Sequence, residues 1–153
     1  MKLEYVEKFV DATVRVLEQA LGKGFGRGEV CLVEGRQARD EITVIIPLGG
    51  ELEGAVTLGL ARDTAIRLFN HVTSGACESL PPLGLDYLKE LGNMIAGAAA
   101  SDLNDQGFDV TVAPPLVNPE DEPPAGARQM EACQIPIFSE FGSMAVNVTL
   151  TTA

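Results

Sequence analysis

The chain has 153 residues, 46% of them hydrophobic, and carries eleven Lys and Arg against twenty-two Asp and Glu for a formal charge of −11. That length is one domain of ordinary size, burying roughly 68–70% of the surface of its unfolded chain and needing neither disulfide nor metal to fold. The acidic surface argues against nucleic acid and anionic membrane as partners, because no Lys/Arg cluster offsets it.

No apolar run approaches the ~20 residues that span a bilayer. The first predicted helix starts almost at Met1 with Glu4, Glu7 and Asp11 in it, so no signal peptide is expected. These features predict a cytoplasmic protein made of a single domain over 1–153. Cys31, Cys77 and Cys133 are widely spaced with no C-x-x-C pair, and read as buried, reduced thiols. His71 is the only histidine, so a His-rich metal site and an ordinary Ser-His triad are both poorly supplied. Its spacing of four from Arg67 predicts a surface position.

In chain order, an amphipathic helix is predicted over Glu4–Leu21. Val6, Phe9, Val10, Thr13, Leu17, Ala20 and Leu21 share one face, with Lys8, Asp11, Arg15 and Glu18 opposite. Gly22, Gly24, Gly26 and Gly28 then make a flexible connection. A strand over Glu29–Val33 precedes a polar turn, Glu34–Asp40. Ile42–Leu48 and Glu53–Leu60 flank Gly49-Gly50 and read as a hairpin, since Gly tolerates the positive φ of tight turns. No G-K-[ST] follows that pair, so it is not a phosphate-binding loop.

A second helix is predicted over Asp63–Val72, with either Ile66, Phe69 and Val72 or Ala65, Leu68 and Val72 inward. Pro81-Pro82 precede the longest helix, Leu83–Gln106, which Gly107 stops. Asp109–Ala113 reads as a strand, and Pro114–Gly126 as an extended acidic loop. Cys133–Phe138 and Met144–Thr151 close the chain as a hairpin around Glu140–Gly142. Met144, Val146, Val148 and Leu150 alternate there with Ala145, Asn147, Thr149 and Thr151. The order αβββααβββ implies an α+β fold: a largely antiparallel sheet of about six strands with long helices on one face.

The chemistry concentrates on the long helix, whose segment 86–104 reads DYLKELGNMIAGAAASDLN. At about 100° per residue, Leu88, Leu91, Ile95, Ala98, Ala99 and Leu103 form one apolar face. Asp86, Glu90, Asn93, Gly97, Ser101 and Asn104 form an opposite stripe about 80° wide. Glu90 and Asn93 stand three residues apart, which places their Cβ atoms roughly 5–6 Å from one another. Gly92 and Gly97 each cost about 1 kcal/mol relative to Ala inside a helix.

The stripe lacks the Lys and Arg that usually clothe an exposed face, with Lys89 at its edge. Small residues such as Gly97 around a carboxylate and a carboxamide leave room for another protein. Surface Glu and Asn are nonetheless common, and helical Gly often serves close packing, so spacing alone leaves both readings open. Ser101 has no base placed beside it and reads as a plain surface hydroxyl.

The run Glu90-Leu91-Gly92-Asn93-Met94-Ile95-Ala96-Gly97-Ala98 resembles the E-x-x-N signature of the CheC/CheX/FliY chemotaxis phosphatases. The single copy, the length and the element order resemble CheX in particular. The first helix, the strand Glu53-Gly54-Ala55-Val56-Thr57-Leu58 and the turn Phe141-Gly142 into Met144–Leu150 extend the likeness over nearly the whole chain. CheC-type relatives carry two motif copies. The first helix offers Lys8 and Asp11 at the corresponding turn, which do not match, so one site per chain is expected.

The resemblance implies a phosphatase (a hydrolase of two-component signalling) acting on the aspartyl phosphate of a phosphorylated response regulator, a CheY-like receiver domain. Such a receiver supplies its own Mg²⁺ and lysine, so the electrostatics of phosphoryl transfer are already present. No cofactor or metal is expected on this chain, where no His pair or D-x-D cluster gathers ligands. Asn93 would position the attacking water, since a carboxamide both accepts and donates hydrogen bonds but is no general base. Glu90 would pair with the receiver lysine and anchor the helix.

Asp86, Lys89 and Gly97 are the further partner-binding candidates, although Asp86 reads first as a solvated or N-terminal helix charge. The resemblance also implies a homodimer. Two rival readings stand beside the phosphatase: a non-catalytic receiver-binding adaptor, and a structural dimer module that pairs through strand edges such as Met144–Thr151.

Overall fold

The computed structural model describes residues 3–22, 24–34, 41–118 and 131–152. Residues 35–40 of the expected Glu34–Asp40 turn and residues 119–126 of the acidic loop lie outside them. The chain begins with α1 (Leu3–Leu21), whose buried face runs Tyr5, Val6, Phe9, Val10, Ala12, Thr13, Val16, Leu17 and Leu21. Ala20, expected on that face, is exposed.

Two short strands follow, β1 (Gly26–Arg27) and β2 (Cys31–Glu34). Then comes the hairpin of β3 (Ile42–Gly50) and β4 (Leu52–Leu60). Its turn needs Gly50: φ is 92° there, and a Cβ would lie 2.2 Å from the Asp109 carbonyl oxygen. Helices α2 (Arg62–Thr73) and α3 (Pro82–Asp105) come next, then β5 (Val110–Val112), β6 (Leu116–Asn118), β7 (Glu131–Phe138) and β8 (Met144–Thr152).

The strands form one sheet in the order β1-β7-β8-β4-β3-β5, with β2 also on β7 and β6 also on β3. Every described pairing is antiparallel. The α+β architecture is as the sequence implies. Two short strands, β1 and β6, join the six expected ones; at two and three residues they are too brief to show alternation.

Register places Ile46, Val56, Val148 and Cys133 in one row across the sheet, and Val44, Leu58, Val146 and Ile135 in the next. These side chains are buried and share a single hydrophobic cluster with the apolar faces of α1, α2 and α3. On the opposite face of the sheet Thr43, Thr57, Ala145 and Thr149 are half-buried. Asn147, which alternation places on that face, is only 6% exposed, and its Oδ1 is buried without a hydrogen-bond partner.

Three expectations need correction. Met144–Thr151, expected as a strand edge, lies in β8 and is interior to the sheet, paired with β4 on one side and β7 on the other. Val72 of α2 is exposed, and the inward residues are Thr64, Ala65, Leu68 and Phe69. Cys31 and Cys77 are exposed free thiols, and only Cys133 is buried. Cys31 lies on β2, at the sheet edge, where nothing covers an outward side chain; burial pushes the Cys133 thiol pKa up. No described helix is long and apolar enough to cross a membrane.

Candidate functional site

α3 starts at Pro82 directly after the extended Pro81, since a proline at the first helical position sacrifices no hydrogen bond. It ends in paired backbone bonds, from Phe108 N–H to the Leu103 carbonyl and from Gly107 N–H to the Asn104 carbonyl, each 3.0 Å. Gly107, at φ 95°, makes that reversal possible. The Asn104 side chain fixes the exit further. Its Oδ1 accepts from Val110 N–H at 2.8 Å, and its Nδ2 donates to the Val110 carbonyl at 3.5 Å. Asn104 thus belongs to the helix end rather than to the open part of the stripe.

The buried side of α3 comprises Gly84, Leu88, Leu91, Gly92, Ile95, Ala96, Ala99, Ala100 and Leu103. Ala98 is only partly buried. Gly92 faces the sheet: a Cβ there would stand 2.8 Å from Val44 Cγ1 and 3.1 Å from Ile46 Cδ1. Close approach of helix to sheet explains this glycine. Beside it, α1 is tied to α3 by Arg15 Nη2 and Asp102 Oδ2 at 3.2 Å. α1 is also tied to β1 by a bidentate pair of Arg27 with Glu7. The Arg27 guanidinium holds the Glu7 carboxyl below the usual carboxylate range, and Glu7 raises Arg27 in return.

With its inner face buried and its C-terminal end held, α3 presents the other side outward. Asp86, Glu90, Asn93, Gly97 and Ser101 are all exposed, as the angular arithmetic requires. Glu90 and Asn93 stand within one turn of each other on the same side. Gly97 differs from Gly92: a Cβ added there would meet nothing within 4 Å, so packing does not account for it. Lys89 is half-buried at the stripe edge rather than within it. Tyr87 is half-buried too, and burial pushes its phenol up, keeping it a neutral hydroxyl.

Two residues that the sequence pattern did not single out, Leu83 and Met94, are 65% and 41% exposed on this helix. A signal for them exists: at about 100° per residue they fall within 20° and 40° of Glu90. The only histidine, His71, is exposed as expected. It has no part in this stripe, with Nε2 3.0 Å from the Leu21 carbonyl and its ring against Phe141. Among the described residues no group of three or more His, Cys, Asp and Glu side chains is placed to hold a metal ion.

Comparison with known proteins identifies the class to which this α+β sheet-and-helix fold belongs. The profile of the family described as chemotaxis phosphatase CheX matches residues 42–137, a span that includes β3, β4, α2, α3 and most of β7. The chain belongs to that family.

A curated relative, the CheY-P phosphatase CheX of Thermotoga maritima, is 25% identical over 118 residues, 76% of each chain. Among solved structures, a CheC-like superfamily protein from Shewanella sp. PV-4 superposes with a TM-score of 0.85 at 20% identity, covering 99% of both chains. The CheX–CheY–BeF3–Mg²⁺ complex from Borrelia burgdorferi gives 0.81 at 22% identity, covering 97% of this chain and 99% of that one.

Proposed function

We propose that this chain is a phosphatase that accelerates hydrolysis of the aspartyl phosphate on a CheY-like receiver domain, with Glu90 and Asn93 as the working pair. Membership of the CheX family supports the reaction class. The observation that carries the residue assignment is the exposure of a carboxylate and a carboxamide one turn apart on a helix whose other face is buried and whose C-terminal end is fixed by Asn104.

In this reaction water attacks phosphorus, the bond from phosphorus to the aspartyl oxygen breaks, and the receiver recovers its carboxylate as inorganic phosphate departs. Asn93 inserts into the receiver's phosphorylation site and holds the water in line, its Oδ1 accepting from the water and its Nδ2 donating toward a phosphoryl oxygen. The carboxamide removes no proton; it supplies position. An acceleration of about 100-fold needs only about 2.7 kcal/mol of barrier lowering, within the scope of one well-held water. Glu90 stays off the phosphoryl group, whose charge it shares in sign, and pairs with the receiver's lysine to fix register. The bare surface at Gly97 lets the partner approach, while Asp86 and the half-buried Lys89 border the contact.

The Borrelia burgdorferi complex holds Mg²⁺ together with its CheY. In the present reaction the metal likewise comes with the receiver, and this chain contributes no ligand to it. Residues 1–153 act as one catalytic domain in the cytoplasm, as a homodimer with one site per protomer.

The test is single-turnover loss of phosphate from receivers of the same genome. Asn93→Ala leaves binding nearly intact while hydrolysis falls to the receiver's own rate, and Glu90→Ala weakens both. Undiminished hydrolysis by the Asn93 variant removes the mechanism. Binding by the wild-type chain without acceleration of any receiver makes it an adaptor instead.

A further inference from the structure

We infer that Leu83 and Met94 are the apolar docking residues that grip the receiver on either side of Glu90, and so set which receiver this chain accepts. The inference rests on the phosphatase reading and extends it from the reacting pair to the contact around it. Six large apolar side chains are exposed among the described residues: Leu3, Leu32, Val72, Leu83, Met94 and Phe138. Scattered singly, such residues are ordinary on a protein surface. Two of the six, however, fall on the outward line of α3.

They stand eleven positions apart, which is about 16 Å along the axis at about 1.5 Å per residue. The intervening outward positions are Asp86, Glu90 and Asn93, and Gly97 follows. The line therefore reads apolar, acid, acid, amide, apolar, then bare backbone.

A docking surface that has to exclude water from a charged pair is built this way. Apolar anchors surround the polar contact, and their burial keeps solvent from screening it. Glu90 paired with a lysine in open water contributes little, since exposed ion pairs are worth about 0–1 kcal/mol. Shielding by flanking side chains is what makes such a pair hold register. Met94 is adjacent to Asn93 in sequence, and its unbranched thioether adapts to an irregular rim. Leu83, in the first turn of α3 behind two prolines, has a backbone that is already ordered and loses little freedom on being covered. The continuity of this line with the Glu90 and Asn93 pair is what commits the occupant to the receiver rather than to a second copy of the chain.

The probe is a CheY-type receiver domain from the same genome, activated with beryllofluoride and Mg²⁺ for binding and phosphorylated for turnover. Leu83→Ala and Met94→Ala are each expected to raise Kd and KM about 5- to 10-fold while leaving kcat within about two-fold. The double variant is expected to raise both further. Leu3→Ala, a matched control 57% exposed at the start of α1, leaves all three unchanged. Thermal melts that superpose on wild type show that the folds are equivalent.

Kd and KM within two-fold of wild type in the double variant overturn the inference, and they do so while leaving the phosphatase reading intact if the wild-type chain still accelerates hydrolysis. A drop in kcat with unchanged KM also overturns it, because the two residues would then act on the chemistry and not on docking. A wild-type chain that neither binds nor dephosphorylates any receiver overturns both.

Discussion

Replacing Gly97 by Ala separates a glycine kept for surface access from one kept for packing. At position 97 the added methyl meets nothing within 4 Å, and the backbone has no positive φ to strain. Alanine then gains about 1 kcal/mol of helix propensity, part of it through the stiffer unfolded chain. For a domain of this length that raises Tm by roughly 2–4 °C.

Gly92→Ala gains the same propensity but pushes a methyl to 2.8 Å from Val44 Cγ1 and 3.1 Å from Ile46 Cδ1. Valine is stiff about χ1 and cannot swing clear. Overpacking of that kind costs about 1–3 kcal/mol, so the net change is destabilising or near zero. The expected order of Tm is Gly97→Ala, wild type, Gly92→Ala, read by circular dichroism melts and checked by urea midpoints at constant m.

On activity, Gly97→Ala keeps the fold and raises KM for the phosphorylated receiver by a few-fold. Gly97→Gln raises it by about 10-fold or more, equivalent to about 1.4 kcal/mol of lost docking. A Gly97→Ala protein less stable than wild type refutes the open position assigned to residue 97. A more stable protein with unaltered KM refutes its place in the receiver contact.

Two further outcomes follow from the electrostatics. Glu7 has its pKa lowered by Arg27, so its contribution to stability is complete above about pH 4.5, its ordinary value, and disappears as pH falls through the lower folded value. Glu7→Gln should therefore flatten the acid limb of a stability–pH curve measured by urea denaturation, by no more than about 1 kcal/mol because the pair is solvent-screened. An acid limb of the same slope as wild type, with no gap closing as pH falls below 4.5, contradicts the pairing. Among the thiols, Cys31 and Cys77 are exposed while Cys133 is buried with its pKa raised. Ellman's reagent at about pH 8 should titrate two thiols quickly and the third only on unfolding. Three equally fast thiols would show that the helices packed on the sheet do not cover Cys133 of β7.

Much of the candidate site was legible in one dimension because a helix converts spacing into direction. Leu88, Leu91, Ile95 and Leu103 repeat with helical period, which fixes the inner face and leaves Glu90, Asn93 and Gly97 outside. The motif that links those three to a phosphatase family is likewise a local string, legible without any knowledge of the fold.

Local pattern was less able to deal with edges and neighbours. Cys31 looked buried because its run is apolar, but burial depends on what lies over a strand, and β2 is an edge strand on β7. Val72 kept helical spacing with Leu68 and is nonetheless exposed, since burial depends on which side of the last turn of α2 its neighbours pack and not on spacing. The converse applies to Asn147: alternation sends it toward solvent, yet β8 runs between β4 and β7, where the flanking strands shield it.

The two glycines of α3 make the division plainest. Their identical type and helical setting say only that each costs stability. Long-range register brings Val44 and Ile46 under Gly92 and brings nothing to Gly97. Helical periodicity acts between residues a few places apart and is therefore written in the sequence. The separation of a glycine from a side chain almost fifty residues away is a property of the packed sheet and helix, and exists only once the chain has folded.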